Sequence, residues 1–243
     1  MQNTYIRLIL LILLVLGAPL GTARADSAAN DRGDICGVNN RPCVLNYLRQ
    51  QADYITNPLW RDQTLRELAK TYAADGQINQ AVSVIDEIQS NDTKAMTIRG
   101  IGMEVADLDW DKDQNDAVFE KLREAAENIE HPPSYAIALT YIAMAQAFAS
   151  DNDGAWATAE DMENDALRHK AYAETAEIQA EHGDYNAAMK SIGFIESEAF
   201  RNKAYAIISK IFADRGMLEE AFNAANANTN AYKKAQGLQY ILD

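Results

Sequence analysis

The stretch LRELAKTYAADGQINQAVSVIDEI, Leu65 to Ile88, carries a glycine near its centre and apolar residues at helical spacing on both sides. Apolar positions recurring three and four residues apart mark an amphipathic helix, and a glycine between two such patterns suits the left-handed residue that ends the first. The segment therefore predicts a helix, a tight turn and a second helix. A lone hairpin cannot bury its own outer face, so Leu65, Leu68, Tyr72, Ile85 and Ile88 require a neighbour to pack against.

Those neighbours follow in the same chain. YAETAEIQAEHGDYNAAMKSIGFI from Tyr172 and YAIISKIFADRGMLEEAFNAANAN from Tyr205 align with the first stretch without a gap. In each, a small residue (Ala69, Ala176, Ser209) precedes glycine (Gly76, Gly183, Gly216) by seven positions, and alanine (Ala81, Ala188, Ala221) follows five later. LTYIAMAQAFASDNDGAWATAEDM from Leu139 fits with Ala143, Ser150 and Ala155, and the interval from Ala143 to Ala176 equals that from Ala176 to Ser209. The small residues fall where two helices of a hairpin cross, because only Ala, Gly or Ser lets the backbones approach. Self-similarity at one fixed interval of this size is the mark of a stacked repeat architecture.

One repeat is irregular. Ile98, Ile101, Gly102 and Val105 stand one such period after Leu65, Leu68, Ala69 and Tyr72, but the interval from Gly102 to Ala143 is longer than a period. The surplus falls around DLDWDKDQND, residues 107–116, and the linker His131-Pro132-Pro133. It reads as an enlarged turn near 107–116 on the edge of the stack.

The order Leu65, Leu68-Ala69, Tyr72, Gly76, Ala81, Ile85 resembles the tetratricopeptide repeat family, and Tyr205, Ile208-Ser209, Phe212, Gly216, Ala221 resembles it nearly as well. The resemblance covers residues 58–243, with units of about 33 residues and no closing proline. It implies an all-α fold, a right-handed α-solenoid of stacked helix-turn-helix repeats, whose concave face binds a protein or peptide. The same resemblance places Ala173, Ala180, Ala206 and Ala213 on that face. It does not imply the family's peptide-carboxylate clamp, which needs asparagine where Glu177 and Lys210 stand here.

Ahead of the repeats, residues 1–25 have the three parts of a secretory signal: Arg7, the apolar run Leu8 to Leu16, and Ala23-Arg24-Ala25 as a small-x-small cleavage site. The run is too short to span a bilayer comfortably, so no stable membrane anchor is expected after cleavage. Residues 26–57 then form an N-terminal segment with a capping helix. Its Cys36 and Cys43 read as a disulfide in an exported, periplasmic or secreted chain, worth roughly 2.5 kcal/mol in the chain-entropy model. The full chain carries a net charge of −14, and loss of Arg7 and Arg24 makes the mature one more acidic. A surface of that sign repels phosphate backbones, so nucleic acid is not an expected partner.

Two side-chain patterns invite a chemical reading. Asp109, Asp111 and Asp113 alternate as the first ligands of a calcium loop do, with Glu120 at the place of the bidentate ligand, although Gln114 replaces the glycine of the sharp bend. A weak calcium site and a helix-capping acidic turn both account for these letters. Arg168 and Lys170 recur one period later as Arg201 and Lys203, followed by Lys234, and form a basic column that either receives an acidic peptide or pairs with Glu174, Glu177 and Glu198.

Enzyme signatures do not appear: His131, His169 and His182 are scattered, and there is neither a G-x-S-x-G elbow nor a phosphate-cradling loop. The expectation is a non-catalytic interaction scaffold without a cofactor. The competing expectation is an exported all-α hydrolase or lyase that uses an unmarked pair of carboxylates.

Overall fold

A computed structural model describes residues 36–243 apart from Val38 and Asp109. The signal-like residues 1–25, the start of the N-terminal segment and the Asp109 position of the acidic stretch therefore lie outside the described residues. Within them the fold is all-α, with twelve helices and no strand. The helices are α1 (Arg41–Ala52), α2 (Pro58–Ala74), α3 (Ile78–Ile85), α4 (Asn91–Ala106), α5 (Lys112–Glu127) and α6 (Pro132–Phe148). They continue as α7 (Asn152–Glu160), α8 (Asp165–Glu181), α9 (Tyr185–Gly193), α10 (Glu198–Asp214), α11 (Leu218–Ala227) and α12 (Ala231–Leu242).

Each helix packs chiefly on those one and two places along the chain, so that α2, α4, α6, α8, α10 and α12 lie in one contacting series. The turns inside the hairpins repeat in detail. Gly76, Gly183 and Gly216 have φ of 71°, 82° and 74°, and Ser150, at the equivalent place, has φ of 62°. A left-handed residue there lets the backbone N–H of the next residue reach back into the helix: Gln77 N to Tyr72 O, Asp151 N to Gln146 O, Asp184 N to Gln179 O and Met217 N to Phe212 O, at 2.8–2.9 Å. Asn57, Ser90, Asp151, Asn164, Asp184 and Asn230 start their helices by accepting a backbone N–H from three positions on.

The core follows the small-and-large alternation of the sequence. Ala69, Ala81, Ala143, Ala176 and Ala188 are fully buried, as are Leu65, Leu68, Ile98, Ile101, Leu122, Ile142, Ile192, Ile208 and Phe212. At Gly102 a Cβ would come within 2.8 Å of the Ala145 side chain, so α4 and α6 approach closely there. Ahead of the repeats, Cys36 and Cys43 lie at disulfide distance, with Cα atoms 5.6 Å apart. Helix α1 leans on α2 through Leu45 and Ala52, and its Arg41 pairs with Asp75 at 2.7 Å and its Arg49 with Glu87. Among the described residues no helix is long and apolar enough to cross a membrane.

The enlarged turn is mostly helix. Five residues, 107–111, separate α4 from α5, against three in the other hairpins, while α5 has 16 residues where α3, α7, α9 and α11 have 8, 9, 9 and 10. The cause is local: Asp111 accepts from Gln114 N at 2.9 Å, and the Gln114 side chain accepts from Asp111 N at 3.2 Å. This capping box starts the helix at Lys112. Val118, Phe119 and Leu122 then bury its apolar stripe.

Candidate functional site

The register of the hairpins picks out a stripe of the long helices that is not fully buried. On α6 its residues are Ile137, Tyr141, Met144 and Phe148, spaced four, three and four apart, which places them on one stripe of the helix. The same positions are Gln63, Glu67, Lys70 and Ala74 on α2 and Met96, Gly100, Met103 and Asp107 on α4; on α8 and α10 they are Lys170, Glu174, Glu177, Glu181 and Lys203, Ile207, Lys210, Asp214. None of these residues is buried.

Side chains at or beside these positions meet from helix to helix. A Cβ on Gly100 would strike the Lys70 side chain, Arg99 lies 5.5 Å from the Tyr141 ring centre, and Phe148 meets the His182 ring edge-on at 5.9 Å. On α10, Lys210 stands 5.3 Å from the ring of Tyr240. The face thus changes character along the series: apolar on α4 and α6, acidic on α8, basic on α10. Burial first, then the charge of Glu174 and more weakly that of Glu181, pushes the carboxyl of Glu177 above the ordinary glutamate range, while Lys203 pulls it back.

The five basic residues of the predicted column divide. Arg168, Arg201 and Lys234 share one register position, which Arg61 occupies on α2, Lys94 on α4 and Tyr135 on α6. There the arginines hold loops together: Arg168 Nη1 donates to Met162 O at 2.8 Å, Arg201 Nη1 to Ile195 O at 2.6 Å, and Arg61 Nη1 to Glu87 O at 2.8 Å. Lys170 and Lys203 belong to the stripe, where Lys170 lies 3.5 Å from Glu174. The alanines expected on the binding face differ in burial. Ala180 is fully buried, and Ala173, Ala206 and Ala213 are partly buried, each one position before a residue of the stripe.

Asp111 is the α5 cap, Asp113 sits in the first helical turn, Asp116 pairs with Lys112 at 2.8 Å, and Glu120 is exposed two turns into the helix. Among the described residues no three His, Cys, Asp or Glu side chains gather as a metal site.

Sequence reading missed the cleft that the longer α5 makes. Its N-terminus faces the N-terminus of α7 across a cavity of about 410 Å³ whose walls include Trp110 and Trp156. Lys112 crosses from α5 to Asp151 at 3.2 Å, and Asp151, buried, also caps α7 through Gly154 N at 3.2 Å. Behind the cleft run two equivalent polar chains. Arg123 donates to Thr158 and Thr158 to Gln146, at 3.0 and 2.7 Å; one repeat further on, Trp156 donates to Ser191 and Ser191 to Gln179, at 2.7 and 2.6 Å. The equivalence of these two chains, though not the cleft, has a signal in the spacing, since Gln146 and Gln179, Thr158 and Ser191, and Arg123 and Trp156 are each one period apart.

Comparisons with known proteins define the class no more finely than the helices do. No protein-family model matches the chain, and no curated protein matches it. Among solved structures, the crystal structure of Ton1535 from Thermococcus onnurineus NA1 is similar over 85% of this chain and 86% of that one, at 13% identity and a TM-score of 0.25.

Proposed function

We propose that the chain is an exported, non-catalytic scaffold. In this reading it is a right-handed α-solenoid of helical hairpins of about 33 residues, similar to tetratricopeptide repeat proteins, and it binds a protein or peptide on the concave face lined by α4, α6, α8 and α10. The supporting observation is the unburied stripe Met96, Met103, Ile137, Tyr141, Met144 and Phe148 lying beside Glu174, Glu177 and Glu181. Unbranched methionines with aromatic residues make a soft apolar surface that adapts to a partner. Glu174, Glu177 and Glu181 lie together along one edge of it. A helical segment with an apolar face and a basic edge complements both features.

A leucine–lysine amphipathic peptide serves as the probe, with a leucine–glutamate peptide of the same pattern as control. The lysine peptide should bind saturably, and Met144→Lys with Glu177→Lys should abolish its binding while helix content stays unchanged. Equal binding of the two peptides, or full retention by the double variant, overturns the reading. Export is checked separately: intact mass of material recovered from outside the cytoplasm should correspond to a chain that begins at Asp26 and lacks two hydrogens.

A further inference from the structure

A second cavity, of about 470 Å³, opens where the start of α6 meets the loop between α7 and α8. We propose that it binds a small neutral aromatic molecule with a carbonyl acceptor, an aromatic carboxamide. The repeat itself shows what an equivalent space holds. Ala136, Leu139, Asp161 and Leu167 border the cavity, and one period further along the chain the same four positions are His169, Tyr172, Phe194 and Phe200. There the rings pack in two pairs, His169 with Phe200 at 5.7 Å and Tyr172 with Phe194 at 5.2 Å between ring centres. Four aromatic rings in one repeat are thus replaced, in the repeat before it, by four side chains without a ring.

The place they vacate keeps an apolar lining. Ala136, Leu139 and Met162 are buried, whereas Pro132, Pro133, Tyr135 and Leu167 keep part of their surface open to solvent. A ring that enters covers this apolar surface and meets the Tyr135 ring as well. The volume is within the range of small-molecule sites.

Loop donors select the polar end of the ligand. On α2, Asp62 accepts from Gln89 N and Ser90 N at 3.1 and 2.8 Å, and on α10, Asn202 Oδ1 accepts from Thr229 N at 2.9 Å, so each holds the loop ahead of the next long helix. Ala136 occupies that register position on α6 and offers no acceptor. Glu163 N and Asn164 N, the counterparts of Gln89 N and Ser90 N, have no acceptor among the described residues. Asn164 nevertheless keeps the extended cap conformation of Ser90, φ −80° and ψ 107° against φ −76° and ψ 122°. A ligand carbonyl takes the place of the missing side-chain oxygen, which a cation cannot do.

Charge decides between a carboxamide and a carboxylate. Asp161 is paired with Arg123 and Asp165 with Arg168, but Glu163 makes no ion pair among the described residues. Beside Asp62 stands Arg61, whereas Tyr135 takes that place on α6. A carboxylate therefore meets an unneutralised Glu163, and a carboxamide like that of Asn202 does not.

The probes are benzamide, benzoate and acetamide, followed by calorimetry and by ligand-observed magnetic resonance. Benzamide should bind saturably, benzoate about fivefold more weakly for one like charge nearby, and acetamide, which has no ring, without measurable saturation. Ala136→His with Leu167→Phe rebuilds the His169–Phe200 pair inside the cavity and should abolish benzamide binding while circular dichroism stays that of the wild type. Glu163→Lys, at an exposed position, should bring benzoate level with benzamide or above it. Should the filled variant fail to fold, the Glu163→Lys comparison decides. Absence of saturation by benzamide, binding retained in a folded filled variant, acetamide as tight as benzamide, or a benzoate-to-benzamide ratio unmoved by Glu163→Lys overturns the site. None of the lining residues belongs to the stripe of the proposed partner face, and Met144→Lys with Glu177→Lys should leave benzamide binding unchanged, so failure of that reading and failure of this one are separable.

Discussion

The hairpins α8–α9 and α4–α5 begin alike and end differently. Both carry the apolar and small residues of the first helix in register, Tyr172, Thr175, Ala176 in one and Ile98, Ile101, Gly102 in the other. In α8–α9 the chain turns in three residues on Gly183 at φ 82°, and the second helix has nine residues. In α4–α5 no left-handed glycine stands at the turn, and the second helix has 16 residues. Extra residues placed in a repeat need not become loop. Where they bring a capping box and an apolar stripe of their own, they lengthen the helix, because the helix satisfies backbone groups that a loop would leave to water. The consequence is spatial: one over-long helix end opens a cleft that the regular hairpins lack.

Substitutions in the regular hairpin should have the largest effect. Ala176→Leu and Ala188→Leu insert bulk where both alanines are fully buried, and each should destabilise by about 1 to 3 kcal/mol in denaturant unfolding. Lys190→Leu, on the exposed side of α9, should cost about 1 kcal/mol or less, its one loss being the contact with the Trp156 ring. Equal midpoints for all three would break the match between α8–α9 and the repeat register.

The turns come next, with opposite signs. Gly183→Val forces a β-branched residue to φ 82° and should destabilise by more than about 1 kcal/mol, whereas Ser150→Gly relieves a left-handed serine at 62° and should stabilise by up to about 1 kcal/mol. If both lower the thermal midpoint, the two turns are not equivalent.

In the irregular hairpin, Asp111→Ala removes the cap and should cost about 1 kcal/mol, while Asp111→Asn, which caps as well, should cost little. Calcium discriminates the other reading of these carboxylates. With Asp111 engaged as a cap, millimolar calcium should move the wild-type midpoint no further than that of the Asp109→Asn, Asp111→Asn variant. A shift confined to the wild type would establish a metal loop.

The smallest effect belongs to the acidic edge of the helix face. A carboxyl held above its ordinary range in the folded state favours folding when protonated, and that contribution is lost as pH rises through the folded value. Glu177→Gln should therefore stabilise slightly at neutral pH, and the gain should vanish below the ordinary carboxylate range. Its persistence at low pH would assign the gain to packing.

The helices were legible because most of the hairpins rest on local rules: glycine at the left-handed turn, alanine at the crossing, a polar cap at the start. The roles of the arginines were less so. Arg61, Arg168 and Arg201 are in register, but whether a guanidinium faces a ligand or a loop carbonyl depends on tertiary placement, and here it meets Glu87 O, Met162 O and Ile195 O. The cleft was not legible at all. It depends on where α5 starts, which Asp111 and Gln114 decide through reciprocal hydrogen bonds, and on α7 lying opposite.

The most direct test of the central claim, that the unburied stripe of the long helices is the binding face, is an amide hydrogen-exchange footprint of the leucine–lysine peptide complex. Protection should appear on α4, α6 and α8, within residues 96–107, 137–148 and 170–181, and should be absent from α3, α7 and α9. Protection confined to the short helices, or none on α6 at saturating peptide, would contradict it.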